Sequence, residues 1–234
     1  MELPRALLRP EAGLLSAPRL EVMRLLGYKE GRTQVDERHL ALVDRGIALA
    51  RAAAAPVASL AYCAVTVQGE QVSTAVPGLT WRSRSLSRLL EGAVAVSLVA
   101  GTLGPGIEEQ TRALFAAEEF ALATIVDAAG SALVHGLLLH VQAHLKARAG
   151  SLTPLYGPGY GDWPLADQIA LTEAAGGPAI GLISTETCYL TPQKSLVGIF
   201  GWLAQPGRPA PSGCSLCTMA GCAYRVRPER GGNE

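Results

Sequence analysis

Apolar residues in the first third of the chain switch from helical spacing to a strand-like run. After Pro18, apolar positions near helical spacing predict a short helix that ends at Gly27. Residues 33–55 predict a longer helix, which Pro56 stops because proline cannot continue a helix interior. The Val-, Ala- and Tyr-rich run 59–67 that follows predicts a strand.

The pattern then predicts a hairpin, a short helix and a buried strand. Gly69 begins a turn, and residues 71–76 return as the second arm of the hairpin. A short helix begins at Ser85 and ends at Gly92. The run 93–101 is continuously apolar, which favours a strand buried on both faces.

The most apolar part of the chain predicts two successive helices, 107–117 and 118–149. The second is apolar on most faces, so we expect it at the centre of the core. It carries His140 and His144 at a spacing that suits metal ligation, but no acidic residue lies between them. A solvated or hydrogen-bonded helix face is therefore favoured for this pair.

A loop of conformationally special residues follows, from Gly157 to Asp162. Glycine permits positive φ and close approach of a ligand, and proline restricts φ. An aromatic residue in such a loop, here Tyr160, suits a ligand platform; a plain connection into a helix is the alternative. We expect Asp162 to cap that helix, which runs to Gly176. Strands are predicted over 180–184 and 195–200.

Composition limits the class of protein. The 234 residues suffice for one large or two small domains, and 49% apolar with 17% charged residues implies a sizeable core. Lys+Arg and Asp+Glu both number 20, which argues against nucleic-acid binding. Polar residues interrupt the most apolar stretch, 120–145, and the N-terminal stretch lacks the pattern of a signal peptide. We therefore expect no membrane span and a cytoplasmic location, where thiols stay reduced.

The C-terminal stretch predicts a separate metal or redox function. Cys214, Cys217 and Cys222 form a CxxC pair followed by a third cysteine, and Cys188 or a histidine would complete four ligands. Zinc, an iron–sulfur cluster, a redox-active thiol pair and an inert reduced tail all remain open. The predicted organisation is an N-terminal arm over 1–18 with at most one helical turn, a domain over 19–203, and a Pro/Gly linker with the Cys-rich tail over 204–234.

Two segments together carry a family resemblance. GPGYGDWPLADQ, 157–168, is followed by a helix, a strand and STETCYLTPQKSLVGIFG, 184–201. This pairing resembles the reactivation (S-adenosylmethionine-binding) domain of cobalamin-dependent methionine synthase, and more closely the small stand-alone proteins that carry such a domain. The segments LEVMRLLGYKE, TLGPGIE and AAGSALVHG fit the same group. The resemblance covers about residues 19–201.

The resemblance implies an α+β fold: a twisted, mostly antiparallel sheet with packed helices and a shallow cleft that holds S-adenosylmethionine. It implies that Tyr160 lies near the methyl donor and is the catalytic candidate. The implied ligand contacts come from both motifs and are Gly157, Pro158, Gly159, Tyr160, Thr185, Glu186 and Ser195. A sulfonium cation favours aromatic faces and carboxylates, which Tyr160 and Glu186 would supply.

The implied role is that of an accessory subunit in methionine biosynthesis. It would dock on a cobalamin-bearing methyltransferase module and support return of cob(II)alamin to methylcobalamin, with an electron from a flavoprotein or a ferredoxin-type reductant. Cobalamin would reside on the partner and carry the chemistry. Whether the chain turns over a substrate by itself stays open.

One position departs from the family pattern. The family's ligand arginine lies five residues before the motif tyrosine, where this chain has Leu155. A guanidinium is the natural clamp for the ligand's carboxylate, so binding that is weaker, different or absent stays open. Two alternative functions also stay open: a metal- or iron–sulfur-binding electron-transfer protein on the same fold, and a scaffold that binds a partner through the cleft.

Overall fold

A curved antiparallel sheet divides the molecule into two layers. The computed structural model describes residues 4–29, 32–149 and 151–204. The strands follow one another as β1 (Arg5–Leu8), β2 (Val57–Gln68), β3 (Gln71–Thr74), β4 (Thr80–Arg82), β5 (Ala93–Thr102), β6 (Ile183–Ser184), β7 (Leu190–Thr191) and β8 (Ser195–Leu203). The helices are α1 (Arg19–Leu25), α2 (Glu37–Ala53), α3 (Arg84–Leu89), α4 (Gly106–Ala116), α5 (Phe120–Ala149) and α6 (Asp167–Ala174).

The long strand β2 organises the sheet. The strand order is β4-β3-β2-β5-β8, and β1 pairs with the first half of β2 while β3 pairs with its second half. Every pairing among the described strands is antiparallel. β6 and β7 form a separate hairpin. This arrangement confirms the expected α+β fold with an antiparallel sheet and packed helices.

Side-chain alternation along the strands separates two apolar cores. Leu60, Val99 and Phe200 belong to the first core, whereas their chain neighbours Ala61 and Leu98 belong to the second. Successive strand residues point to opposite faces, so the cores lie on opposite sides of the sheet. We call the first side, with α1, α2, α4 and α5, the helical layer. The other side, with α3, α6, residues 156–166 and the β6–β7 hairpin, is the loop layer.

Glycines allow close approach of the elements in the helical layer. A Cβ at Gly46 of α2 would overlap the side chain of Ile125 in α5, and one at Gly136 of α5 would overlap the backbone of Ser16. Gly106 likewise lies against the backbone of Ala53. Such contacts make the layer sensitive to added volume, because packed interiors contain few voids.

The predicted N-terminal arm is part of this fold rather than an appendage. Residues 5–8 form strand β1, Ala12–Leu14 forms a 3₁₀ turn, and Leu15 and Ala17 are buried in the helical layer. The segment shows little periodicity because its strand is short and mostly exposed and pairs along one side with β2. A four-residue strand of this kind is recognisable only through its partner.

Helix α5 is the apolar centre that its sequence predicts. By length and composition it would be able to span a membrane, but 61% of its most apolar window is buried inside the molecule. Residues such as Leu133 and Leu137 are fully buried in the helical core. The burial favours the role of a core helix, as expected from the sequence.

Candidate functional site

The candidate site begins where the chain runs beside the last strand. Leu152 pairs with Trp202, and Tyr156 and Ile199 exchange two backbone hydrogen bonds of 3.1 and 2.8 Å. A Cβ at Gly198 would lie 2.8 Å from the carbonyl oxygen of Tyr156, so glycine permits the close approach. This segment covers the edge of β8, which would otherwise expose unpaired backbone groups.

Residues 157–163, which we call the tyrosine loop, then turn tightly on themselves. The Tyr160 N–H donates to the Gly157 carbonyl at 3.1 Å, and the Gly159 N–H donates to the Trp163 carbonyl at 2.9 Å. Gly159 and Gly161 have positive φ of 88° and 57°, which glycine adopts without a Cβ penalty. Gly157 and Pro158 are buried, whereas Gly159 and Tyr160 are exposed. The backbone groups expected to hold a ligand are therefore partly used inside the turn.

An aromatic cluster supports the exposed tyrosine. Tyr156 is buried, and its ring meets the Tyr160 ring edge-on with centroids 5.5 Å apart. The Trp163 ring stacks on Tyr156 with centroids 6.2 Å apart, and Trp81 meets Trp163 edge-on at 5.1 Å. The Trp163 Nε1–H donates to the Asp167 carboxylate at 2.9 Å. Tyr160 remains 55% exposed, so it lies on a rigid base and faces solvent.

Asp162 does not cap the helix that follows it, and this expectation was wrong. A helix capped by Asp162 would begin at residue 163, but α6 begins at Asp167. The Asp162 carboxylate instead accepts hydrogen bonds from Ser83 Oγ at 2.7 Å, the Arg84 N–H at 2.8 Å and the Ser85 N–H at 2.9 Å. The Ser85 hydroxyl is a further donor. Because these donors lie at the start of α3, the aspartate joins two segments far apart in sequence.

The same contacts shift the acidity of Asp162. Partial burial alone would raise its pKa, but the hydrogen bonds from the Ser85 and Ser83 hydroxyls and from the Ser85 and Arg84 N–H groups outweigh burial. They hold the pKa well below its ordinary value of 3.8. Asp162 is therefore ionised at neutral pH and serves as an acceptor that fixes the tyrosine loop.

The first part of the second motif, with Thr185 and Glu186, lies in the β6–β7 hairpin and contacts α6. Thr185 Oγ1 accepts from the Tyr189 N–H at 3.0 Å and closes the turn, while Glu186 is exposed. The Gln168 side-chain amide donates to Ser184 Oγ at 3.0 Å and to the Cys188 carbonyl at 2.7 Å. Gln168 thus joins the helix after the tyrosine loop to the turn that carries Thr185 and Glu186.

Ser195 occupies a different part of the sheet. Its hydroxyl donates to the Pro192 carbonyl at 2.6 Å, and its Oγ atom lies 2.8 Å from Thr102 Oγ1. It lies two positions before Val197, whose carbonyl oxygen would lie 2.8 Å from a Cβ at Gly157 of the tyrosine loop. The structure therefore joins the tyrosine loop to the Thr185 turn through α6, and the first residues of β8 run beside the loop. Contact of Ser195 with a ligand stays a prediction.

Leu155 also has a structural role. Its side chain packs against the helical core, and a Cβ at Gly198 would lie 3.0 Å from its Cδ1 atom. The position where the resemblance implies an arginine thus lies against apolar side chains in this chain. A charged side chain there would lose the packing and face a desolvation cost.

The predicted metal centre is only partly described. Cys188 adopts positive φ of 62° in the hairpin turn, and its carbonyl accepts from Gln168. Cys214, Cys217 and Cys222 lie outside the described residues. Within 4–29, 32–149 and 151–204, no group of three or more His, Cys, Asp or Glu side chains is placed to hold a metal ion. Metal binding by the tail stays a prediction.

Comparison with known proteins supports the fold. No protein-family model and no curated protein matches the sequence. Among solved structures, the chain is similar to the MetH reactivation domain bound to AdoHcy, with a TM-score of 0.61 and 13% sequence identity. The match covers 89% of this chain and 81% of the solved chain. At this identity the likeness establishes a shared fold.

Sequence reasoning missed the partners that hold the loop in place. Ser83 and Ser85 lie more than 70 positions from Asp162, and Trp81 contacts Trp163 from strand β4. It also missed Lys194, which is 8% exposed and whose ammonium contacts Asp127 at 2.7 Å and Ser131 at 3.1 Å in α5. The sequence does show Asp162 before an aromatic residue and two serines near the start of a helix. That these residues bond to each other is visible only in the folded structure.

Proposed function

We propose that this chain binds S-adenosylmethionine beside the tyrosine loop and acts as an accessory subunit in the reactivation of a cobalamin-dependent methyltransferase, in the manner of methionine synthase. The observation that carries the proposal is the exposed Tyr160 on a rigid aromatic base, within a fold shared with the MetH reactivation domain bound to AdoHcy.

The residues present suit part of this ligand. An aromatic face exposed to solvent attracts a sulfonium cation, and the Tyr160 ring is held edge-on by Tyr156 so that one of its faces can be offered without reordering. The exposed carboxylate of Glu186 lies in a turn that Gln168 connects to the helix after the loop. When bound, S-adenosylmethionine would supply the methyl group, and an electron would come from a flavoprotein or ferredoxin-type partner.

The protein's own part in this reaction is positioning. The tyrosine loop is fixed by its internal hydrogen bonds and by Asp162, so little conformational entropy is lost when a ligand binds. Exposed apolar side chains lie around the loop and the hairpin, among them Leu165, Ile169, Ile183 and Tyr189. They suit contact with a cobalamin-bearing module, and the corrin would carry the chemistry on that partner.

Titration calorimetry with S-adenosylmethionine and S-adenosylhomocysteine tests the ligand. We expect Tyr160→Ala to lower the affinity for S-adenosylmethionine by several-fold to about tenfold. The affinity for S-adenosylhomocysteine should fall less, because its thioether lacks the positive charge. Phe115→Ala is the matched control, since Phe115 is an exposed aromatic residue of α4 in the helical layer. Absence of heat from either nucleoside with the folded protein would disprove the proposed binding.

The partner role needs a separate assay. Cobalamin-loaded methionine synthase without its own reactivation domain is mixed with this chain, S-adenosylmethionine and a reduced flavoprotein. Return of the methylcobalamin absorption spectrum, dependent on the added chain and lost with Tyr160→Ala, is the expected result. An unchanged cob(II)alamin spectrum, with nucleoside binding intact, would leave a nucleoside-binding protein without this role.

A further inference from the structure

The nucleosides proposed as ligands carry an amino-acid carboxylate, which requires a cation or strong donors when it is bound. Guanidinium groups are the best match, since they donate two parallel hydrogen bonds to a carboxylate. Leu155 packs against the helical core and supplies no such group. If these nucleosides bind beside the tyrosine loop, a cation from another part of the chain would be needed for their carboxylate.

Arg84 is the arginine that the structure ties to the loop. It is the first residue of α3, and its backbone N–H donates to Asp162 Oδ2 at 2.8 Å, two residues after Tyr160. Its side chain is exposed. This backbone contact holds the Cα of Arg84 next to the loop, and the long side chain remains able to turn toward a bound anion.

The Asp162 carboxylate accepts its hydrogen bonds from groups other than the Arg84 guanidinium. Its Oδ1 atom accepts from the Ser83 hydroxyl at 2.7 Å and from the Ser85 N–H and hydroxyl, and its Oδ2 atom accepts from the Arg84 backbone. A carboxylate with this many donors is already well satisfied, because its two oxygens offer about four acceptor positions. The carboxylate that accepts from the Arg84 backbone is thus engaged by backbone and hydroxyl groups.

The neighbouring arginines differ from Arg84 in their anchoring. Arg88 is also exposed but lies one helical turn farther along α3, at the end away from Asp162. Arg82 lies on β4, with its guanidinium 3.8 Å from Glu70. Arg84 is thus the exposed arginine at the start of α3, where the ionised Asp162 also lies.

From these contacts we infer that Arg84 recognises the amino-acid carboxylate of the S-adenosyl ligand and makes the site selective for nucleosides that carry this group. The inference rests on the proposed function, and it names a residue that determines specificity within that site. Leu155 cannot bind the ligand carboxylate. Arg84 would bind it instead, because the backbone contact with Asp162 holds the start of α3 beside the tyrosine loop.

The test compares two ligands that differ in the amino-acid end. S-Adenosylhomocysteine carries the carboxylate, and 5′-methylthioadenosine has the same nucleoside and thioether without it. We expect the unaltered chain to bind S-adenosylhomocysteine more tightly, by a margin that shrinks as salt is raised. Arg84→Gln should lower the affinity for S-adenosylhomocysteine about tenfold and leave the affinity for 5′-methylthioadenosine unchanged. Arg88→Gln, the matched control, should change neither affinity.

The outcomes separate the two proposals. Equal affinities of the unaltered chain for both nucleosides, or an Arg84→Gln chain that still discriminates as before, would overturn the role of Arg84 while nucleoside binding stands. Failure of the unaltered chain to bind either nucleoside would overturn the proposed function and this inference with it. Should Arg84→Gln fold poorly in a thermal melt, Arg84→Met takes its place, with the same expected loss for S-adenosylhomocysteine and the same contradicting result.

Discussion

The two layers on either side of the sheet are stabilised in different ways. The helical layer is built from fully buried aliphatic side chains around α5, with glycines at the closest contacts. The loop layer depends more on directional contacts: an edge-on and stacked aromatic cluster, and the hydrogen bonds of Asp162 and Gln168. Apolar burial stabilises without specifying one loop conformation, whereas hydrogen bonds and ring geometry do specify it. The candidate site lies in the layer where conformation is specified most closely.

The comparison predicts the largest loss of stability in the helical layer. Leu133→Ala should lower the free energy of unfolding by about 2–5 kcal/mol, because Leu133 is fully buried and the cavity cannot collapse. Urea denaturation followed by circular dichroism measures the loss. Leu139→Ala, an exposed position on the same helix, should change stability by less than about 0.5 kcal/mol. Equal effects would contradict the assignment of α5 to the core.

Gly161 is expected to be the most sensitive backbone position of the loop layer. Gly161→Ala should cost about 1–3 kcal/mol, because φ is positive and the new Cβ would overlap Tyr156 Oη and Ser85 Oγ. Gly69→Ala is the control with nearly the same φ, 61°, and no atom within 4 Å of the new Cβ. A loss at Gly161 no larger than that at Gly69 would show that the loop is not packed as described.

The hydrogen bonds of Asp162 should be worth less, since the group is largely exposed. Asp162→Asn should lower the free energy of unfolding by about 1 kcal/mol, while weakening nucleoside binding through a looser tyrosine loop. Asp44→Asn removes a comparable surface carboxylate, paired with Arg19 at 2.6 Å, and should leave nucleoside binding unchanged. Unchanged binding in Asp162→Asn would separate the loop from the ligand site.

The pH dependence of the Asp162 contribution has a definite sign. The pKa of Asp162 is lower in the folded state than its ordinary value of 3.8, so the unfolded chain takes up a proton first as pH falls. The stability advantage over Asp162→Asn should therefore be constant above about pH 5 and decline below about pH 4. Urea midpoints of both proteins across this range provide the measurement, and an advantage that grows on acidification would be contrary to the structure.

The smallest effect on stability is expected at the exposed tyrosine. Tyr160→Phe should leave the free energy of unfolding within about 0.5 kcal/mol of the unaltered chain, because the ring contact with Tyr156 is kept. Trp163→Phe, by contrast, removes the hydrogen bond to Asp167 and leaves a cavity in the buried aromatic cluster, so it should cost about 1–3 kcal/mol. Thermal melts of Tyr160→Phe and Trp163→Phe compare the stability lost at an exposed residue of the site with that lost at a buried residue beneath it.

Local pattern was sufficient for the larger elements. The apolar stretch 118–149 predicts a helix that the structure places at Phe120–Ala149, and the run 93–101 predicts β5. The hairpin of β2 and β3 and the strand β8 also follow from their patterns. These elements depend on periodicity and turn residues, which are properties of neighbouring positions.

Elements that depend on distant partners were less predictable. The stretch 180–184 predicts one strand, but Pro178–Ile180 forms a 3₁₀ turn and the strand is limited to Ile183–Ser184. The N-terminal strand β1 needs its pairing with β2, and Asp162 meets its donors only through tertiary contact. Asp162 has the sequence context of a helix cap, but its carboxylate bonds instead to Ser83 and Ser85. These residues supply more donors than the following helix start would.

The sequence by itself determined the apolar centre of α5 and the presence of a glycine- and proline-rich loop around Tyr160, because these follow from local composition and spacing. The α+β class was expected from the family resemblance of the two motifs. The tertiary structure decided which residues support that loop and that Leu155 packs against the helical core. It also placed Arg84 beside the loop. The physical reason is that hydrogen bonds and ring contacts between segments more than 70 residues apart are set by the packing of the sheet, which local pattern does not encode.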